Sequence, residues 1–362
     1  MTRVTIRNLT KVFGALRAVD NLNLEIKDRE FVALLGPSGC GKTTTLNCIS
    51  GLETPTSGEI LFDDVVVNDL PSKDRGVGLV FQTYAVFYHM TVYENIAFGL
   101  KIRKVPGNEI RKEVMQVADF LGLTGVLNRK AGTLELSGMQ KTAIGRTLVT
   151  KPKVLLLDEP LSNLDAAVRT VTRAELKRMQ KELEQTTIFV THDQLEAMTL
   201  SDQIAVMDKG KLQQYDTPDG VYNRPVNRFV ANFIGSPSIN LVDCSLEFRD
   251  GKAYLVHSDF RIDVSNYKNH LEKYASKSEV ILGIRPEHIY LARKLHEETI
   301  NTTVFITEPL GGETLLNLQV GGLLLRVMAP GDVATEIGSK LAVEFDKKYL
   351  HIFDKKTQEA II

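Results

Sequence analysis

Nine consecutive residues constrain this chain more than any others: Gly36-Pro37-Ser38-Gly39-Cys40-Gly41-Lys42-Thr43-Thr44. Gly36, Gly41, Lys42 and Thr43 fit the pattern G-x-x-x-x-G-K-[ST]. An apolar run, Phe31 to Leu35, leads into the loop, and a helix-like run, Thr43 to Ser50, leads out of it. Strand, glycine-rich loop and helix in that order form a phosphate cradle. The glycines let the backbone curl so that several N–H groups point inward, and the helix adds its positive dipole end. Lys42 is expected to reach the β- and γ-phosphates of a nucleotide, and the Thr43 hydroxyl to sit on Mg²⁺. Cys40 reads as a small filler of the loop and not as a nucleophile. A glycine-rich turn in front of an ordinary helix would show the same letters; the apolar strand before it favours nucleotide binding.

A phosphate loop needs a parallel α/β sheet around it, and the chain supplies candidates. Val154 to Leu157 is a continuous apolar run of the kind covered on both faces. Val77 to Phe81 and Thr187 to Val190 read as further buried strands, and Glu59–Phe62 with Val65–Val67 as a hairpin. Residues 2–8 alternate like an edge strand, with Lys11 to Gly14 as the following turn, and Asn23 to Ile26 as another strand. From Thr83 to about Thr133 the spacing turns helical, with Ile110, Val114, Val117, Ala118 and Leu121 at intervals of three and four. The segment from about 83 to 150 is therefore expected to be a helical subdomain inserted into the sheet. A long helix after Pro160 carries Leu176, Met179 and Leu183 on one face. Asp219 to Ile234 reads as a partly helical bridge. After Gly235-Ser236-Pro237 short strands dominate, and glycine pairs at 311–312 and 321–322 mark hairpins. The expected organisation is an α/β domain over 1–235 and an all-β, OB-like barrel domain over 236–362.

Three strand ends carry chemistry. Asp158, 115 residues beyond Thr43, ends the 154–157 run and is suited to hold the Mg²⁺ shell; Glu159 is suited to act as general base on the attacking water. Gln82 could orient that water or ligate the metal, and His192 could hydrogen-bond the γ-phosphate. In a parallel sheet these strand ends converge on one crevice. Phe13 could stack on adenine. A net charge of −1 argues against a nucleic-acid partner, and three cysteines without metal-ligand spacing suit a reducing compartment. No apolar run approaches membrane-spanning length and no secretory signal opens the chain, so a cytosolic protein that docks on a membrane partner is expected.

Together these motifs resemble the ABC-transporter ATPase family. The residues that carry the likeness are Phe13-Gly14, the 36–44 loop, VFQ at 80–82, LSG at 136–138, VLLLDEP at 154–160, SNLD at 162–165 and THD at 191–193. The resemblance implies Phe13 as adenine platform, Gln82 as the hinge that senses a membrane subunit, Glu159 as catalytic base and His192 as switch residue. It also implies 162–165 as a dimer-contact loop. FIGSPSIN at 233–240 and LGIRPEHI at 282–289 are similar to the regulatory domain of the carbohydrate importers, the group of the maltose-importer ATPase. That group implies ATP and Mg²⁺ as cofactors, a second ATPase subunit as partner (a homodimer), permease subunits, an external solute-binding protein, and a place on the cytoplasmic face of the membrane.

One motif departs from the family. The usual signature LSGGQ, whose serine and backbone N–H groups meet the nucleotide on the opposite subunit, reads LSGMQKTAIGR here. Ser137, Gly138 and Gln140 are its candidate nucleotide contacts. Ser137 precedes Asp158 by 21 residues, about two fewer than usual, and the usual spacing would put Glu135 where serine is expected. Either the helix starts late or the motif is out of register, since two residues turn a helix by about 200°. A carboxylate near that phosphate would slow turnover, so a dimerising binding module with little hydrolysis is the competing expectation.

Overall fold

The structure, a computed structural model, describes residues 2–274, 279–294, 296, 298–333 and 335–362, apart from the side chains of Leu183 and Tyr274. It divides into two compact units, one ending at Pro218 and one spanning Asp219–Ile362.

The first unit runs β1 (Val4–Phe13), β2 (Leu16–Ile26), β3 (Phe31–Leu35), α1 (Lys42–Ser50), β4 (Ser57–Phe62), β5 (Val65–Val66), β6 (Val77–Val80), α2 (Val92–Ile102), α3 (Gly107–Phe120), α4 (Leu136–Leu148), β7 (Val154–Asp158), α5 (Ala166–Leu183), β8 (Thr186–Thr191), α6 (Gln194–Leu200), β9 (Gln203–Asp208) and β10 (Lys211–Asp216). Strands β9, β3, β8, β7 and β6 lie side by side in parallel, and β10 closes one edge antiparallel. All five residues of β3 are buried, as a strand covered on both faces requires. Val32, Leu34, Leu156, Ile188 and Ala205 meet Leu46 and Ile49 of α1 in the core.

A second sheet, β2-β1-β4-β5, is antiparallel. It corrects two expectations. β1 is interior, with Ile6 opposite Leu24 on one side and Ile60 on the other, and it continues through Lys11, Val12 and Phe13, so the turn falls at Gly14 and Ala15. Alternation in the sequence reported a sheet with one covered face, not an edge.

α2, α3 and α4 form the inserted helical layer around Ile96, Ala97, Ile110, Val114, Ala118 and Val149. Thr91 and Glu94 close a reciprocal capping box at the start of α2. On α5, Leu176 and Met179 are buried; the Leu183 side chain lies outside the described residues.

The second unit runs α7 (Pro218–Asn223), α8 (Arg228–Phe233), β11 (Asn240–Arg249), β12 (Lys252–Val256), β13 (Arg261–Asp263), α9 (Lys268–Tyr274), β14 (Glu279–Ile284), β15 (Ile289–Leu291), β16 (Ile300–Pro309), β17 (Glu313–Val320), β18 (Leu323–Pro330), β19 (Lys340–Phe345) and β20 (His351–Asp354). Its sheets, β13-β12-β11-β14-β20 and β15-β19-β16-β17-β18, share one core that includes Val242, Leu282, Leu316, Leu318 and Val343. The two glycine pairs sit at the β16–β17 and β17–β18 turns. Sequence texture had put 219–235 at the end of the first domain. The buried Arg285 shows why these residues group with the second unit instead. Its guanidinium donates to the carbonyls of Tyr222 (2.7 Å) and Ile234 (2.8 Å) and lies 3.6 Å from the Tyr222 ring centre.

Candidate active site

The 36–44 loop leaves the C-terminal end of β3 and enters α1. A Cβ on Gly36 would lie 2.2 Å from the Met207 carbonyl oxygen, so the loop can pass β9 only as glycine. Gly41, at φ 103°, is the N-cap of α1, and a Cβ there would stand 2.4 Å from the Ala18 carbonyl. The first-turn N–H groups of a helix have no intrahelical acceptor and so face the loop interior as donors. The Lys42 ammonium is buried and donates to the carbonyls of Gly36 (2.8 Å) and Pro37 (2.9 Å). The Cys40 Sγ lies 3.7 Å from that ammonium; burial pushes its thiol up, in keeping with a filler. This donor set suits the phosphates of a nucleotide.

Two strands away, Asp158 ends β7. Its carboxylate accepts a hydrogen bond from the Thr43 hydroxyl at 3.1 Å, which brings together the hydroxyl and the carboxylate that a Mg²⁺ ion would use. Burial and the neighbouring Glu159 raise the Asp158 carboxyl, while Thr43 and Lys42 oppose the shift. Glu159 takes φ 43°, an uncommon backbone for a non-glycine residue, and its N–H donates to Val190 at 3.0 Å. That turn sends its side chain away from Asp158's partner. One carboxylate oxygen accepts from Gln82 Nε2 at 3.0 Å, and the other lies 3.2 Å from His192 Nδ1. Gln82, Glu159 and His192 therefore form one constellation, and Lys42, Thr43 and Asp158 another beside it. Gln82 directs its amide nitrogen to Glu159 and to Ser162 Oγ (3.3 Å), which groups it with Glu159 and not with Asp158.

Sequence reasoning missed what holds this constellation. Asn163 Nδ2 donates to the Gln82 carbonyl at 2.9 Å, and Ser162 Oγ to the Glu159 carbonyl at 2.9 Å. Asp193 caps α6, and Arg169 lies 3.5 Å from it. The buried Glu196 accepts from Thr191 at 2.6 Å, and burial raises its carboxyl. Asp193-x-x-Glu196 has the spacing of a capping box and was the available signal. Glu196 turns instead to the strand end.

Phe13 pairs with Leu16 across the first hairpin, and Ala18, two residues along β2, is the residue that abuts Gly41. The Phe13 ring is exposed, with the Lys11 ammonium 4.7 Å from its centre.

Three family models match successive stretches: "ABC transporter" over residues 19–162, "MalK OB fold domain" over 235–289 and "TOBE domain" over 282–353. The trehalose/maltose import ATP-binding protein MalK of Thermococcus litoralis is 48% identical over 374 aligned residues, covering 100% of both chains. The chain belongs to the ABC transporter family of ATP-binding proteins. The oligosaccharides import ATP-binding protein MsmX of Bacillus subtilis is 42% identical, over 95% of each chain. A solved ATP-binding cassette, dimeric and bound to ADP and Pi after hydrolysis, matches with TM-score 0.53 at 31% identity, over 59% of this chain and 98% of that one.

As an ABC ATPase the chain combines the expected α/β domain and helical insert with an OB-like, all-β C-terminal part. Its signature helix bears on the question of register. α4 starts at Leu136 with Glu135 as N-cap, and Met139 N–H makes a 3.0 Å bond to the Glu135 carbonyl. The helix begins at Leu136, and Glu135, where the usual spacing would put serine, occupies the capping place. No side-chain bond closes that cap. Ser137 and Gly138 fall in the first turn. Gln140 is a correction: it lies on the inner face with Ala143, Ile144 and Thr147 and is fully buried, so its side chain is not available to a nucleotide on another subunit.

Proposed function

We propose that this chain is the ATP-hydrolysing subunit of an importer that takes up sugars. The observation that carries the reading is the convergence of Lys42, Thr43, Asp158, Glu159, Gln82 and His192 at neighbouring strand ends, in a chain collinear with sugar-import relatives. The loop backbone and Lys42 bind the triphosphate. Thr43 and Asp158 would hold Mg²⁺, which would supply positive charge to the phosphate oxygens. Glu159 draws a proton from the attacking water, with Gln82 and His192 fixing its two carboxylate oxygens, and Phe13 carries the base. A second copy completes each site with the N-terminal turn of its α4. Permease subunits, docked near the 80–100 segment on the cytoplasmic side of the membrane, receive the motion, and an external binding protein delivers the solute.

Steady-state hydrolysis of MgATP by the purified chain, with Glu159→Gln as control, tests the catalytic part. Sugar-dependent stimulation in vesicles with its co-purifying membrane subunits tests the transport part. Turnover that survives Glu159→Gln would remove Glu159 from the mechanism, and vesicles indifferent to every sugar would remove the substrate class.

A second reading is favoured by Glu135: a nucleotide-dependent dimer clamp with little turnover. A carboxylate at the helix end that meets the partner's phosphate would weaken the trans-contact hydrolysis needs while leaving nucleotide binding intact. ATP-dependent dimerisation without hydrolysis would support it.

A further inference from the structure

The loop that follows Gln82 is bent against its own backbone preference. Tyr84 and Ala85 both have positive φ, 59° and 48°, a left-handed pair that neither side chain favours. The turn is closed by short-range bonds, Tyr84 N–H to Phe81 (2.9 Å) and Ala85 N–H to Thr83 (2.7 Å). It is then gripped from outside by one residue. Arg146, in the last turn of α4, donates from Nη1 to the Ala85 carbonyl at 2.7 Å and from Nη2 to the Tyr84 carbonyl at 3.2 Å. Its guanidinium also lies 5.1 Å from the centre of the Phe87 ring. A planar fork that bonds two successive carbonyls fixes their orientation as well as their position, which an ammonium cannot do.

The other bonds of this region fall at either side of the turn. Asn95, fully buried on α2, accepts from Phe87 N–H at 2.8 Å and donates to the Phe87 carbonyl at 3.0 Å. Thr147, next to Arg146, reaches the Leu79 carbonyl of β6 at 3.5 Å. Asn163 holds the Gln82 carbonyl. The N–H groups of the strained pair bond within the turn and the Tyr84 ring is buried, while the pair's two carbonyls are taken by Arg146.

We propose that Arg146 is a positioning residue: by clamping the Tyr84–Ala85 turn it sets where Gln82 stands against Glu159, and it makes α4, whose other end is the signature turn, rigidly continuous with the Gln82 loop. A displacement of α4 would then be delivered to Gln82 through one guanidinium. The inference rests on the reading of Gln82 as part of the water-activating group, and the test separates the two.

Arg146→Lys in the full chain keeps the charge and loses the fork. Amide exchange is expected to rise across 81–90 and to stay at the native level across 36–44, with the affinity for MgATP unchanged. kcat is expected to fall roughly ten- to hundred-fold at unaltered KM. Adding Ala85→Gly, which removes the backbone conflict at one of the two strained residues, should restore much of both losses; a general packing defect would gain nothing from a glycine. Exchange across 81–90 that does not change in Arg146→Lys, or a loss spread over the whole unit with weakened MgATP binding, would overturn the proposal. Gln82→Ala serves as the separate control: full turnover in that variant would sink the role given to Gln82, while the exchange measurement still decides whether Arg146 holds the loop.

Discussion

Glu159 shows how a side chain's role depends on one backbone angle. The sequence places Asp158 and Glu159 side by side, and two adjacent carboxylates in one strand would point to opposite faces. The left-handed turn at Glu159 keeps both at the rim but gives them different partners, Thr43 for one and Gln82 with His192 for the other. On the proposed function, those partners divide metal holding from water activation. Glu159→Gln should leave MgATP binding intact and lower kcat by about 10²- to 10⁴-fold, the usual worth of a general base; nucleotide titration alongside a phosphate-release assay checks both halves. Lys42, Thr43, Asp158 and His192 were legible because each sits at a fixed offset from a strand or loop that composition announces. Arg169, Asn163 and Glu196 were not: they act through contacts across the fold, and no local pattern marks a side chain whose partner is decided by tertiary packing.

At the level of elements, two features carry most of the site. The first is the crossing of the phosphate loop against β9 and β2. Gly36→Ala would force a methyl onto the Met207 carbonyl, so loss of nucleotide binding together with a lowered melting temperature is the expected outcome, by calorimetry and nucleotide titration. The second is the start of α4. Glu135 caps the helix without a side-chain bond, whereas serine at such a place supplies one. Glu135→Ser gains a cap worth about 1 kcal/mol but gives up about 0.3–1 kcal/mol of carboxylate–helix-dipole attraction, so a small net rise in the denaturation midpoint is expected. On the proposed function, ATP turnover should also rise as a charge leaves the turn held to the partner's phosphate. A rise in stability with no change in turnover would confine Glu135 to a structural role. The letters LSG at 136–138 suggested the signature's own register, yet the buried face Gln140, Ala143, Ile144 and Thr147 sets where the helix must begin. Helical periodicity outranks a short motif, because a shift of two residues would turn that face out of the core. The same principle explains β1, where pairing on both sides overrode an edge-like pattern. In the β domain, β11 alternates buried and exposed residues over most of its length, the pattern of a strand with one covered face, and was a readable signal.

Across the whole molecule, the division after Pro218 was hidden from the sequence because the texture of 219–235 resembles the helices before it. Arg285, far along the chain, decides the matter by its bonds to Tyr222 and Ile234. Behind it His351 is held neutral: burial, with Arg285 and His288 nearby, lowers its pKa to about 4. Between its ordinary value of 6.5 and about 4 the unfolded chain binds a proton that the folded chain refuses, so stability falls as pH falls through that window, by up to about 3 kcal/mol. Urea midpoints measured from pH 7 to pH 4 should show this loss, and His351→Gln should flatten it. The phosphate loop has a whole-chain consequence too. Its walls come from Ala18, Met207 and the bond from Gly210 N–H to the Cys40 carbonyl at 3.0 Å, segments nearly two hundred residues apart in the sequence. Such a cradle cannot exist in a partly made chain: its last wall arrives only when β9 has been synthesised and has found β3. Nucleotide capture is thus a late event in the protein's own assembly, and the ligand then locks together the two ends of the unit that had to meet to receive it.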